Sequence, residues 1–272
     1  MKTKNPGILI LIIIAMIPVS SVLFAGSPAP VLKVEMISYK VGDSTYKAYI
    51  AYDQNIKGKR PVILVVHEWW GLNDYPKMRA RKLAELGYFA VAVDLFGNGK
   101  VAANPKEAQE LTKPFYKDPD LAKNRMEAAV QKIGEYQQAD TTNLVAVGYC
   151  FGGGMVLDAA KLGGDYKAVV AFHPALPGMP PDKKLLTSKI LVCYGESDKF
   201  VSMAAADKFK HQLDSIGADY TFKSYPNATH AFTNPASTET GKKFKMPIEY
   251  NPEADKKSWN DMRVFLAGVF KK

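Results

Sequence analysis

Cysteine is nearly absent from this chain. Two occur in 272 residues, Cys150 and Cys193, so at most one internal bridge can form. Their 43-residue spacing permits it, and a structural disulfide is the bland reading of the pair. Both, however, sit at the end of or within apolar runs that read as strands, and strand register leaves such residues little freedom to meet disulfide geometry. The expectation is one functional thiol and one buried core cysteine. A redox role needs a resolving thiol, and Cys193 in a buried strand is a poor candidate. Histidine is scarce too: only His67, His173, His211 and His230 are available as a general base. No long basic run exists. The formal charge of +9 is carried by scattered lysines, whereas a nucleic-acid arm would concentrate it, leaving solubility or mild surface attraction. No repeat or low-complexity tract stands out. Hydrophobic and charged contents of 47% and 23% are ordinary, and the length is most economically one α/β domain.

The N-terminus reads as separate from the fold. Lys2 and Lys4 precede an apolar run from Ile8 to Ile17, followed by Pro18, two serines and Val22-Leu23-Phe24-Ala25-Gly26. A basic end, an apolar centre and a small residue at the cut are the pattern of a secretory signal peptide. Residues 1–25 are the expected leader and 26–272 the expected domain, exported to a periplasm or medium. The lack of a cysteine near the cut argues against a lipoprotein anchor. An uncleaved membrane anchor is the competing reading, because the apolar stretch approaches spanning length.

The rest alternates strand and helix patterns. A hairpin is expected over residues 31–52, turning at Gly42-Asp43-Ser44, with further strands over 61–67, 88–95, 144–147, 166–173, 189–194 and 220–225. Helices are expected over 74–87, capped by Asp74, within 96–117 after a loop, and over 118–138, 152–162, 202–217 (capped by Ser202) and 252–270. Such alternation predicts a mostly parallel central sheet with helices on both faces and functional residues at the strand C-terminal ends.

Around one turn the pattern becomes chemical. The apolar run Leu144 to Val147 leads into Gly148-Tyr149-Cys150-Phe151-Gly152 and then a helix. This is the G-x-S-x-G nucleophile elbow with cysteine for serine. So tight a turn needs small residues two positions to either side, and it sets the thiol at a helix N-terminus, where amides and dipole favour a thiolate. A thiol nucleophile needs a base. His211 lies among polar residues and reads as a surface group; His67 and His173 end strands and could line a pocket. His230 follows the last strand, where the base belongs in the nucleophile–acid–histidine order of α/β-hydrolases. Between them, Gly195-Glu196-Ser197-Asp198 offers two carboxylates; Asp198 is the better match to the usual turn, with Glu196 the alternative.

VGYCFGG, GESDKFV and the THAF segment, in this order, resemble dienelactone hydrolases, a cysteine branch of the α/β-hydrolase fold. So do VVHEWWGLND, DLFGNG at Asp94 to Gly99, and YNPEADKKSW at Tyr250 to Trp259, so the likeness covers nearly the whole chain after the leader. It implies a Cys150–His230–Asp198 triad, an oxyanion hole from the backbone amides of Trp69 and Phe151, and a Glu68 that holds the resting cysteine as a thiol until ligand displaces it. A nearby carboxylate does oppose thiolate formation, and a persistent exposed thiolate oxidises easily. A salt-bridged strand-end carboxylate is the plainer reading of Glu68.

The resemblance implies an ester or lactone hydrolase acting on a small molecule, with no metal or organic cofactor; the leader adds export, and the scattered charge argues against a nucleic-acid partner. A noncatalytic binding protein that keeps the fold is the alternative from another class. One position departs from the pattern. The family grips a substrate carboxylate with arginines, one of them four residues past the catalytic histidine, and here that residue is Asn234. The segment 101–117 contains lysines but no arginine, and lysine lacks the bidentate fork. Aromatic residues suggest an apolar mouth: Trp69, Trp70, Phe115, Tyr116, Tyr149, Phe172 and Phe232. His173 either touches substrate or is a hydrogen-bonded core residue.

Overall fold

The computed structural model describes Met1 and residues 29–176 and 179–271. The expected leader, residues 1–25, lies outside the described residues apart from Met1. Eight strands form one sheet: β1 (Leu32–Val41), β2 (Ser44–Asp53), β3 (Arg60–Val66), β4 (Phe89–Val93), β5 (Ala139–Tyr149), β6 (Ala168–Phe172), β7 (Lys189–Gly195) and β8 (Tyr220–Tyr225), in the order β1-β2-β4-β3-β5-β6-β7-β8. The β1–β2 hairpin runs antiparallel, and β2 joins β4 antiparallel; every pairing from β4 to β8 is parallel. The helices are α1 (Asp74–Glu85), α2 (Pro105–Lys117), α3 (Asp120–Ile133), α4 (Phe151–Lys161), α5 (Met203–Ile216), α6 (Ser237–Phe244) and α7 (Pro252–Val269).

The strands sort their side chains by parity. In β3, Val62, Leu64 and Val66 pack into one apolar layer with α2 to α5, while Ile63 and Val65 face the second layer with α1 and α7. In β5, Leu144 and Ala146 take the first side and Val145, Val147 and Tyr149 the second. Residues buried on both faces read as continuous apolar runs, which is how these strands appear in the sequence. Parity also separates the thiols: Cys150 packs against the first layer and Cys193 within the second. Their strands are separated by β6, about 10 Å across two strand spacings. That distance is too great for a disulfide, and both cysteines are free.

Several boundaries differ from expectation. Asn73, not Asp74, caps α1, its side chain accepting from the Tyr75 amide, while Asp74 lies in the first turn. Ser202 caps α5 as expected, accepting from Ala205. Helix α3 stops at Ile133, short of Gln138, with Gly134 at its C-cap. Strand β5 begins earlier, at Ala139, because its polar start pairs with Arg60 and Pro61 before a register shift. Helix α6 was not expected: its sequence, STETGKKF, carries only one large apolar residue.

Candidate active site

Five strand ends bring the chemistry to one edge of the sheet: Glu68 after β3, Cys150 after β5, His173 after β6, Asp198 after β7 and His230 after β8. Cys150 sits at φ 53° and ψ −116°, a conformation that costs a non-glycine residue about 1–3 kcal/mol. The flanking glycines permit it. A Cβ on Gly148 would lie 2.1 Å from the Gly152 carbonyl oxygen, and one on Gly152 would lie 2.5 Å from the carbonyl oxygens of Val66 and His67. The Cys150 amide donates to the Phe172 carbonyl at 3.0 Å and the Gly152 amide to the His67 carbonyl at 3.1 Å. The elbow is thereby tied to both neighbouring strand ends.

Cys150 Sγ lies 3.0 Å from His230 Nε2, and His230 Nδ1 lies 2.7 Å from Asp198 Oδ2. The other carboxylate oxygen of Asp198 accepts from the amides of Phe200 and Val201 at 2.8 and 3.0 Å, which fixes its rotation. Glu196 points to solvent and takes no part. Burial opposes the His230 imidazolium, yet the Cys150 sulfur and the Asp198 carboxylate together raise its affinity for a proton well above the ordinary histidine range. The amides of Trp69 and Phe151 make no hydrogen bond among the described residues, so both remain available as donors.

The other histidines have different tasks. His67 is fully buried; its Nδ1 lies 2.5 Å from the Glu68 carbonyl oxygen, and its Nε2 accepts from the Leu95 amide at 3.1 Å. Burial pushes its pKa down, and the neutral ring pins the end of β3 to the end of β4 rather than lining the pocket. His173 is also fully buried, at φ 37°, with Nε2 2.7 Å from Thr233 Oγ1. Burial, then the neighbouring His230 and Arg79, hold its pKa well below normal. It is the hydrogen-bonded core histidine of the two alternatives. His211 is exposed on α5.

A cavity of about 310 Å³ opens over the thiol. Its walls are Trp69, Trp70, Leu176, Phe200, Met246 and Ile248, with Glu68, Cys150 and His230 as its ionisable members. Phe200 is exposed and stands edge-on to His230, ring centroids 5.3 Å apart. Tyr149, Phe172 and Phe232, expected at the mouth, are fully buried in the layer with α1 and α7; strand parity turns Tyr149 and Phe172 away from the thiol. Phe115 is buried against Phe151 with ring centroids 5.2 Å apart, leaving Tyr116 as the exposed member of that pair.

Glu68 and Asn234 form a unit instead of contacting the thiol. Asn234 Nδ2 donates to Glu68 Oε2 at 2.6 Å, and its own carbonyl accepts from the Ala236 amide at 3.0 Å. No hydrogen bond joins Glu68 to Cys150 among the described residues: Asn234 holds the carboxylate and His230 holds the sulfur. Burial pushes the Glu68 carboxyl up to about 7, against the Asn234 hydrogen bond and the charges of His230 and Arg79.

Beneath the site lies a polar network that the sequence did not announce. Buried Arg79 donates to the Thr233 carbonyl and to Asp255 Oδ1, the latter at 2.6 Å. Thr233 Oγ1 lies 2.5 Å from the Tyr75 hydroxyl and bonds His173 as well. The signal was present in YNPEADKKSW, whose Asn251 caps α7 and whose Asp255 meets Arg79. In DLFGNG, Asp94 binds the amides of Phe96, Gly97 and Gly99 at 2.9, 2.9 and 2.7 Å and shapes the loop after β4.

A family model described as the dienelactone hydrolase family matches residues 46–270. A putative carboxymethylenebutenolidase of Methylorubrum extorquens is 33% identical over 186 residues, covering 64% of this chain and 64% of that protein, just under two thirds of its length. The crystal structure of a dienelactone hydrolase-like promiscuous phosphotriesterase from metagenomic libraries superposes with a TM-score of 0.82 at 28% identity, over 88% of this chain and 99% of the other. Thermogutta terrifontis esterase 2 shares the fold, with a TM-score of 0.62 at 18% identity over 87% and 94% of the two chains. With that match over most of its length and with the α/β-hydrolase fold, the chain belongs to the dienelactone hydrolase family.

Proposed function

We propose that this protein is an exported hydrolase of a small ester or lactone that works through an acyl-enzyme on Cys150. The observation that carries the reading is the unbroken contact chain from Cys150 Sγ through His230 to Asp198, at 3.0 and 2.7 Å. In acylation the Cys150 sulfur attacks the ester carbonyl, and its proton passes to His230 Nε2. Asp198 keeps the Nδ1 proton in place and stabilises the imidazolium. The carbonyl oxygen, now negative, is received by the amides of Trp69 and Phe151. Collapse expels the alcohol, which takes the proton from His230 and leaves a thioester. Water, deprotonated by His230, then attacks the thioester and releases the acid and the thiol. Glu68 lines the same cavity as the thiol and is the proposed control on it. The signal-like N-terminus supports export.

The test is turnover of an activated ester by wild type, Cys150→Ser and Cys150→Ala, with intact mass spectrometry of the quenched enzyme. Loss of most turnover in both variants, with folding retained and an acyl adduct on wild-type Cys150, is expected. Full activity in either variant overturns the mechanism. Saturable ligand binding without any turnover favours a noncatalytic binding protein instead.

A further inference from the structure

Among the described residues, the lining of the cavity over Cys150 includes no lysine or arginine, and its one carboxylate is only half engaged. The remaining lining is apolar, and its ionisable groups are Glu68, Cys150 and His230. Asn234 occupies Glu68 Oε2 at 2.6 Å, while Oε1 is buried with no partner among the described residues. Asn234 is held by Glu68 and by the Ala236 amide, and it does not line the cavity over the thiol. A carboxylate entering with the substrate would leave water, meet no lysine or arginine on the cavity wall, and face a like charge in apolar surroundings.

Resting on the proposed hydrolase reading, we infer that Glu68, held by Asn234, is a specificity residue that excludes anionic acyl groups, so the natural substrate is an uncharged, apolar ester or lactone. The groups facing Glu68 are Asn234, the imidazole of His230, the thiol of Cys150, the guanidinium of Arg79 and the hydroxyls of Tyr75 and Tyr149. The guanidinium cannot serve as the missing counter-ion. It is 1% exposed, it is paired with Asp255, and it lies outside the cavity lining. His230 carries positive charge only with its proton, and in the proposed chemistry the sulfur and Asp198 already balance that charge. Because burial holds the Glu68 carboxyl near neutrality, exclusion strengthens as the solution becomes alkaline.

Two activated esters of matched length separate charge from size: 4-nitrophenyl pentanoate and the mono-4-nitrophenyl ester of glutaric acid, which has a carboxylate where the first has a methyl group. Wild type is expected to favour the neutral ester in kcat/KM by about a hundredfold or more. The preference should rise several-fold between about pH 6 and about pH 8, a range in which the glutarate carboxylate is ionised throughout. The Cys150–His230 chemistry is common to both esters, so its titration cancels in the ratio. In Glu68→Gln, circular dichroism confirming the fold, the preference should shrink about tenfold and lose its pH slope. A wild-type preference under tenfold, or one equally large and equally pH-dependent in Glu68→Gln, overturns the inference. If Glu68→Gln does not fold, the wild-type slope decides alone, and a flat ratio sinks the idea. Turnover of neither ester, or turnover independent of Cys150, refutes the hydrolase reading instead.

Discussion

The backbone amide of Gly152 donates to the carbonyl of His67 at 3.1 Å, so the turn carrying Cys150 is stitched to the end of β3. Trp69, two residues beyond His67, and Phe151, just before Gly152, supply the two amides proposed as oxyanion donors. That backbone hydrogen bond joins the two segments that carry them. His67 reinforces it from the other side by holding the Glu68 carbonyl and the Leu95 amide.

Gly152→Ala tests that stitch. The added Cβ would lie 2.5 Å from two backbone oxygens, which cannot rotate away as a side chain could. Alanine gains about 1 kcal/mol over glycine in a helix, but overpacking against backbone costs about 3 kcal/mol, so the clash wins. The expected result is lower stability in urea denaturation and loss of esterase activity. Gly268→Ala, with open space around its position near the end of α7, should be neutral or slightly stabilising. Equal behaviour of the two variants would refute the packing argument.

Asp198 and Glu196 were both open readings of one loop, and their environments now separate them. Asp198 is buried with each oxygen engaged, whereas Glu196 is exposed. In Asp198→Asn, the oxygen that keeps the Phe200 and Val201 amides leaves the amide nitrogen facing His230 Nδ1, which favours the wrong tautomer. A fall in kcat of about 10³- to 10⁴-fold is expected, with a normal melting profile. Glu196→Gln should stay within about twofold, as surface substitutions do. Steady-state kinetics on both proteins checks this, and a larger loss in Glu196→Gln would reverse the assignment.

What the sequence revealed depended on whether the cause was local. Gly148 and Gly152 announce the elbow because the turn itself forbids Cβ atoms there, and Ser202 announces α5 because a cap acts within three residues. The order of Cys150, Asp198 and His230 was readable because the parallel strands deliver their ends to one edge. Tyr149 was misplaced because chain proximity to Cys150 outweighed parity, which sends adjacent side chains to opposite faces. The Arg79–Thr233–Asp255 network spans up to 176 positions along the chain, so the local segment YNPEADKKSW shows only its Asp255 end. Met246 and Ile248 reached the cavity wall through α6, an element without a helical apolar stripe.

The two thiols should differ sharply toward an alkylating reagent. Cys150 is half-buried on the cavity wall, while Cys193 is fully buried, with its thiol pushed up to about 12 by burial. The Tyr225 hydroxyl, 3.5 Å from Cys193 Sγ, is too weak a donor to offset that. Iodoacetamide at neutral pH should add one equivalent to the native protein and two after denaturation without reductant. Peptide mapping should place the native adduct on Cys150, with activity lost in step. Native labelling of Cys193, or a missing second thiol in denaturant, would contradict the sheet geometry.

The Glu68 carboxyl should also make stability depend on pH in a defined direction. Burial raises it from 4.5 to about 7, so between those values the folded protein holds a proton that the unfolded chain releases. Its contribution is most favourable below 4.5 and declines as pH climbs toward 7, beyond which the full penalty of about 3 kcal/mol applies. Glutamine keeps an acceptor for Asn234 Nδ2 and carries no charge at any of these values. Comparing Glu68→Gln with wild type at each pH cancels the opposing titrations of His173 and His230, which both proteins share. The variant should match wild type near about pH 5 and exceed it by an amount approaching about 3 kcal/mol near about pH 8. Urea denaturation across that range reads the difference. A flat difference would mean that Glu68 is solvated in the folded protein, and the half-engaged carboxylate could not then guard the cavity.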